Sequence, residues 1–223
     1  MRDAFDLLRR GWDDQVGDAI PIPPSRPVSD APYRIRIRHS KVAGAVVEEI
    51  FSDSIVGGTG GNSNHLNDRV VLHLVRTGTW NFARSGGRGA SMVVPAGRFI
   101  ALYNDPSWRF GIGARTNSRV LILPPGELQQ LVADKPVTGP FDAAPMRVLM
   151  AHVDTVSLML DDLPPTGVRA AQAATTELVT GVVAGTVDGN EPLLGPALAV
   201  AAQRLVEGLL TDAELSPQLG SVS

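Results

Sequence analysis

The groups able to do chemistry are few, and their spacing limits what they can do. There is no cysteine, which removes disulfides, thiolate metal sites and thiol nucleophiles together. The four histidines, His39, His65, His73 and His152, form no HxH and no HExxH. None has a carboxylate three or four residues on in the same strand. No metal and no cofactor are expected. Arg84-Ser85-Gly86-Gly87-Arg88-Gly89 and Gly58-Thr59-Gly60-Gly61 are glycine-rich, but neither opens a helix. A phosphate cradle uses the free amides of a helix N-terminus, so both read as turns. Ser52, Ser54 and Ser91 lack a GxSxG elbow and a histidine placed to activate them. The pairs Asp13-Asp14 and Asp161-Asp162 read as solvated or capping groups. No catalytic residue is expected, and the chain reads as a protein that is not an enzyme.

What remains is recognition. Between Val70 and Val75, alternation places Val71, His73 and Val75 on one face and Val70, Leu72 and Leu74 on the other. If the first face points into a barrel, His73 is a polar group among aliphatic walls, able to orient a ligand through one hydrogen bond. Trp80, Tyr103 and Trp108 are the aromatic companions expected around it. The opposing possibility is that His73 faces outward.

These residues need a β scaffold, and the first half of the chain supplies one. Tyr33 to Arg38 alternates strictly, and further strands are expected at Ala45–Ser52, Arg69–Arg76, Thr79–Ala83, Ser91–Val94, Phe99–Tyr103, Trp108–Ile112 and Arg119–Leu123. Gly57-Gly58, Gly60-Gly61-Asn62, Gly86-Gly87, Pro95-Ala96-Gly97 and Asn104-Asp105-Pro106 read as the turns between them. About eight short strands at this spacing predict a sandwich or closed barrel. Ahead of them, Phe5, Leu8, Trp12 and Val16 predict an amphipathic helix, and Ile20 to Pro27 a proline-stiffened arm.

After Leu123 the period changes. Met146, Leu149, Val153, Val156, Leu160 and Leu163 follow a 3-4-3-4-3 spacing, an a/d stripe on one helix. Pro164-Pro165 ends it. Val168, Ala171, Thr175, Leu178 and Val182 mark the next helix, and Leu198, Ala202, Leu205 and Leu209 a last one. Such a hairpin packs its stripe either onto its own barrel or onto a second copy. The extent of apolar surface predicts the second: a two-fold homodimer with Met146, Leu149, Val153, Val156 and Leu160 at the seam.

Composition agrees with a folded protein: 43% hydrophobic and 19% charged residues allow a sizeable core. The net charge of -3 argues against broad capture of nucleic acid. No run approaches the roughly 18 apolar residues of a membrane span, and the N-terminus lacks a signal-peptide core. A soluble, cytoplasmic protein is expected.

Taken in order, these pieces resemble one family. They are the N-terminal helix with Phe5 and Trp12, Arg34-Ile35-Arg36-Ile37, Val70 to Gly78, Met92-Val93-Val94-Pro95-Ala96-Gly97, and Leu121 to Leu128. This series resembles the effector-binding and dimerisation half of AraC-type transcription regulators. The stretch Ala202 to Pro217 resembles the opening of that family's helix-turn-helix region. The resemblance implies an α+β fold, a cupin-like antiparallel β-barrel followed by a helical hairpin or bundle. It implies an N-terminal helix and arm over 1–31, the barrel over 32–123, helical linker and dimerisation elements over 124–212, and the start of a helix-turn-helix region over 213–223. The implied function is effector sensing and dimerisation, with a small-molecule effector as partner and DNA contacted only through a helix-turn-helix domain that 213–223 does not complete. A small cupin-type enzyme and a purely structural dimerisation module with a filled barrel are the alternatives; an interior cavity separates the second from a sensor.

Overall fold

In the computed structural model the described residues are 10, 23–28, 34–42, 45–59, 66, 68–86, 91–105 and 108–190. The expected N-terminal helix (Arg10 apart, which is helical), His65, the last helix around Leu198 to Leu209 and the 213–223 segment lie outside them. The chain divides into two compact units, 1–184 and 185–223. The account below concerns the first, and the second only through the last turns of one helix.

Eleven strands are described: β1 (Ser25–Pro27), β2 (Ile35–Val42), β3 (Ala45–Ser52), β4 (Ile55–Gly58), β5 (Val70–Thr77), β6 (Thr79–Arg84), β7 (Met92–Pro95), β8 (Arg98–Tyr103), β9 (Trp108–Ile112), β10 (Thr116–Leu123) and β11 (Val137–Pro140). They form two antiparallel sheets, ordered β1-β4-β9-β6-β7 and β11-β8-β5-β10-β3-β2. Within these, β3 to β10 give the orders β4-β9-β6-β7 and β8-β5-β10-β3. That is the eight-strand jelly roll of two Greek keys, the architecture of cupins. The expected α+β, cupin-like fold is therefore present, and its core is shared by the two sheets. Val71, Val75, Ile100, Leu102, Val120 and Ile122 from one meet Ile55, Trp80, Phe82, Val94, Trp108 and Ile112 from the other.

Alternation does the local work. Along β2, Ile35, Ile37 and His39 are half-buried while Arg36, Arg38 and Ser40 are exposed. Along β5 every residue from Val70 to Val75 is buried, because both faces of this central strand are covered. One faces the second sheet; the other lies under helix α1 (Glu127–Val132). Gly78, at φ 77, turns β5 into β6, a conformation that costs glycine little.

Three strands depart from the sequence reading. β1 lies in the expected arm and pairs with β4. β11 lies in the expected helical region and adds to β8, ending in a proline that an edge strand tolerates. β4 contains Gly57-Gly58, read as a turn. A Cβ at Gly57 would stand 2.6 Å from the Phe110 ring and 2.7 Å from the Pro24 carbonyl, so glycine is there for close approach.

Helix α2 (Ala144–Met159) and helix α3 (Pro165–Asn190) make the expected hairpin. Proline occupies the first turn of α2, where its missing amide costs nothing. A 3-10 turn, Leu160–Asp162, and Pro164-Pro165 separate the two helices. His152 Nε2 lies 3.0 Å from Thr175 Oγ1 and 3.3 Å from the Ala171 carbonyl, tying the hairpin together. The seam expected from the stripe needs correcting. Met146, Leu149, Val153 and Val156 are buried within the chain itself, three of them at 0–1% exposure, and Leu160 is half-buried. With α2 against β2, the stripe is internal core. A heptad pattern records burial without naming the partner. The large apolar side chains left exposed on α2 are Val148, Leu158 and Met159. Among the described residues no helix is long and apolar enough to cross a membrane.

Candidate ligand-binding cavity

The barrel is not filled. Between the sheets lies a cavity of about 90 Å³. Its walls are mainly Ile35, Ile37, Ile50, Ile55, Val71, Leu102, Val120 and Ile122, with an aromatic side of Trp80, Phe82, Trp108 and Phe110. The half-buried wall residues (Pro23, Ser25, Ile35, Ile37, Glu48 and Phe110) come mostly from β1, β2 and β3. β1 and β2 are the edge strands of the two sheets, so the mouth opens between those edges.

Val71, His73 and Val75 occupy the inward face of β5, as alternation predicted, and Val71 and His73 line the cavity. His73 is 7% exposed. Its ring stands 4.5 Å from that of Trp80 and 4.9 Å from that of Phe82, tilted to both. Trp80 and Phe82 stack at 5.5 Å with 9° between planes, and Phe110 leans on Trp80 at 5.6 Å. Burial lowers the His73 pKa to about 3, because the cationic form has lost its hydration. The imidazole is neutral, and its buried Nδ1 has no hydrogen-bond partner.

Two of the three expected companions are in place. Trp80 and Trp108 line the cavity, with Trp80 Nε1 donating to Ser118 Oγ at 3.1 Å and Trp108 Nε1 to the Tyr103 carbonyl at 2.9 Å. Tyr103 does not line it. Its hydroxyl donates to the Asp68 carboxylate, and that bond, with burial and the charges of Asp68 and Asp105, pushes the phenol up to about 12. Tyr103 ends β8 with alternation on the wrong side for the interior.

Sequence reasoning passed over the other polar wall groups. By sequence Asn104 reads as a turn residue. It is 2% exposed, its Oδ1 accepts from Thr59 Oγ1 at 2.6 Å, and its Nδ2 is buried without a partner. Glu48 sits in β3 beside Glu49. In a strand two consecutive acids cannot both face solvent on one side, and that signal was available. Glu48 takes the inward position: register makes an inner row of His39, Glu48, Val120, His73 and Ile100 across five strands. Glu48 and His73 are thus two strands apart, roughly 10 Å between backbones. Burial raises the Glu48 pKa to about 7. Glu49 takes the outward position, where it accepts from Arg119 Nε and, at 3.2 Å, from Arg76 Nη1. Arg119 Nη1 also meets Asp154 of α2 at 2.7 Å. The neighbours of two cavity residues, Glu48 and Val120, therefore clasp the helical hairpin.

Among the described residues no group of three His, Asp or Glu side chains converges as metal ligands do. The chain matches no protein-family model and no curated protein. Solved structures do match. The crystal structure of the AraC-like transcriptional activator CuxR superposes with a TM-score of 0.55 at 12% identity, covering 78% of this chain and 65% of that one. Two others overlap over less than half of this chain. An RmlC-like cupin from Desulfovibrio desulfuricans does so at TM-score 0.33 and 14% identity, covering 44% of this chain and 88% of that one. The cupin domain of an XRE family regulator from Enterobacter cloacae does so at 0.32 and 10%, covering 41% and 98%. This chain spans just under two thirds of the activator's length. At such identity the likeness is one of fold alone: an α+β chain with a cupin-type jelly roll at its centre.

Proposed function

We propose that this chain is the effector-sensing and dimerisation module of an AraC-type transcriptional regulator, a binding protein and not a catalyst. One observation carries the proposal. The jelly roll keeps an apolar cavity into which it sets two polar groups, His73 Nδ1 and Asn104 Nδ2, both buried and both unpartnered. An unpaired buried polar group costs about 1–3 kcal/mol, a cost that a purely structural core avoids by filling the space. A ligand with complementary groups removes it on binding. At about 90 Å³ the enclosed space is smaller than the roughly 150 Å³ aliphatic cavity that holds benzene, so the ligand is small or reaches out through the mouth. The ion pairs of Arg119 with Glu49 and with Asp154 offer a route by which an occupied cavity biases the hairpin.

Pairing of two copies belongs to this reading. With the heptad stripe internal, the exposed apolar residues of α2 among those described, Val148, Leu158 and Met159, are the candidates for it. DNA contact is assigned elsewhere than to this chain, in keeping with its charge of -3; operator-selective binding in a gel shift at physiological salt would contradict that. The main test is a titration of small apolar molecules followed by tryptophan emission and thermal shift, since Trp80 and Trp108 line the cavity. A saturable response is expected, and Ile122→Phe, which fills the space, should abolish it with the fold intact. A response that Ile122→Phe leaves unchanged would place binding outside the cavity and end the proposal.

A further inference from the structure

The cavity also has a charge preference. Its wall contains one acid, Glu48, and, among the described residues, no lysine or arginine. The ionisable groups facing Glu48 are His39, its register partner on β2, Lys41 at the exposed end of that strand, and His73 two strands away. His73 is held neutral by burial, and His39 is pushed below the ordinary histidine value by burial and by Lys41. On β10 the neighbour is Val120. The acid is raised by burial alone, with no cation offsetting it. The cavity can thus become negative and does not become positive at neutral pH, so it disfavours anions.

The wall opposite suits a cation. Trp80, Phe82 and Phe110 form a contiguous ring surface within 5.6 Å centroid spacings, and aromatic faces attract ammonium groups, more strongly when both are out of water. A fourth aromatic wall residue, Trp108, carries a cation on its ring: the Arg84 guanidinium lies 5.1 Å from the ring centre. Glu48 is a half-buried residue of the cavity wall, where an entering cation can meet it. Deeper in, Asn104 Nδ2 is a free donor and His73 Nδ1 a free position on a neutral ring. Each suits an oxygen or hydroxyl of a ligand.

We infer that the effector is a small organic ammonium ion carrying an oxygen function, with the Glu48 carboxylate as its counter-ion and the rings of Trp80, Phe82 and Phe110 around its apolar body. This deepens the sensing proposal and rests on it. Binding requires ionised Glu48, so protons compete with the ligand. With the carboxyl titrating near 7, affinity should fall about tenfold from pH 8 to pH 6.

The test pairs choline with 3,3-dimethylbutan-1-ol, the same shape with carbon in place of charged nitrogen. Both are titrated into the intact chain by calorimetry and tryptophan emission at pH 8 and pH 6. Choline is expected to bind at least about tenfold more tightly than the alcohol at pH 8, and to lose that advantage at pH 6. Glu48→Gln should erase the preference of choline over the alcohol, with thermal unfolding as the check that it folds. Equal binding of the two, or choline binding indifferent to Glu48→Gln, overturns the ammonium assignment. Alcohol binding alone overturns it while leaving the sensing proposal standing. If neither binds at millimolar concentration, the assignment falls; a silent panel of neutral molecules would then take the sensing proposal with it.

Discussion

The interior of the jelly roll and the underside of the helical hairpin are both apolar, yet they ended differently. The hairpin's stripe is closed: Met146, Leu149 and Val153 have at most 1% of their surface exposed, and the chain's own atoms cover them. The barrel interior is open: it holds a cavity of about 90 Å³ with Glu48, His73 and Asn104 in its wall. Close packing is the ordinary state of a protein core. Space left beside unpaired polar groups is the exception, and exceptions of this kind gather where something binds.

The largest expected effect tests whether the stripe is core. Val153→Glu should unfold the chain or cost more than about 3 kcal/mol, because the carboxylate would be buried without a partner. Leu149→Ala should cost about 2–5 kcal/mol, the transfer term plus the cavity it leaves. Urea unfolding measures both. A Val153→Glu variant that stays folded and merely changes from dimer to monomer would restore the stripe as a seam and dissolve the contrast.

The second sharpens the open side through pH. His73 is neutral when folded, with its pKa lowered from 6.5 to about 3, so the unfolded chain takes up the proton first. Its contribution is present above pH 6.5 and is lost as pH falls toward 3. Glu48 is the reverse: its pKa is raised from 4.5 to about 7, so its contribution is present below 4.5 and is lost as pH rises toward 7. Each gives a slope of up to about 1.4 kcal/mol per pH unit, and the two oppose each other between about 4.5 and 6.5. Relative to the wild type, His73→Leu should therefore make stability fall more steeply with pH there, and Glu48→Gln make it rise more steeply. Denaturation at four pH values reads this out; parallel curves for all three proteins would show that neither group is desolvated by the fold.

The third concerns the join between the regions. Arg119 bridges Glu49 and Asp154 with a side chain 12% exposed, so Arg119→Met should cost about 1–2 kcal/mol. Asp154 is 56% exposed, and Asp154→Asn should cost less than about 1 kcal/mol. If the pairs also transmit occupancy, Arg119→Met should leave ligand affinity in place while uncoupling it from protection of hairpin amides in hydrogen exchange.

The smallest stability effect belongs to Leu158, 85% exposed on α2. Leu158→Glu should change stability by less than about 0.5 kcal/mol while lowering any self-association seen by light scattering. A large loss of stability would mean that the helix face read as free is covered.

Much of this was legible in the chain. The period of two over Val70 to Val75 assigned Val71, His73 and Val75 to one face, because successive side chains on a strand must alternate. The 3-4 spacing from Met146 to Val156 likewise marked a buried helix face. Both follow from backbone geometry, which is local. Tertiary structure decided what each buried face meets. The hydrophobic effect has no direction, so an apolar stripe is satisfied equally by its own sheet or by a second copy, and only the docking of α2 on β2 chose the first. Alternation could say that one of Glu48 and Glu49 faces inward. Which one depends on pairing with β10, where Glu48 falls opposite Val120 and Glu49 opposite Arg119. Tyr103 fell outside the cavity and Phe82, Phe110 and Asn104 inside it for the same reason: strands distant in sequence enclose the cavity, and their register is set by the whole jelly roll.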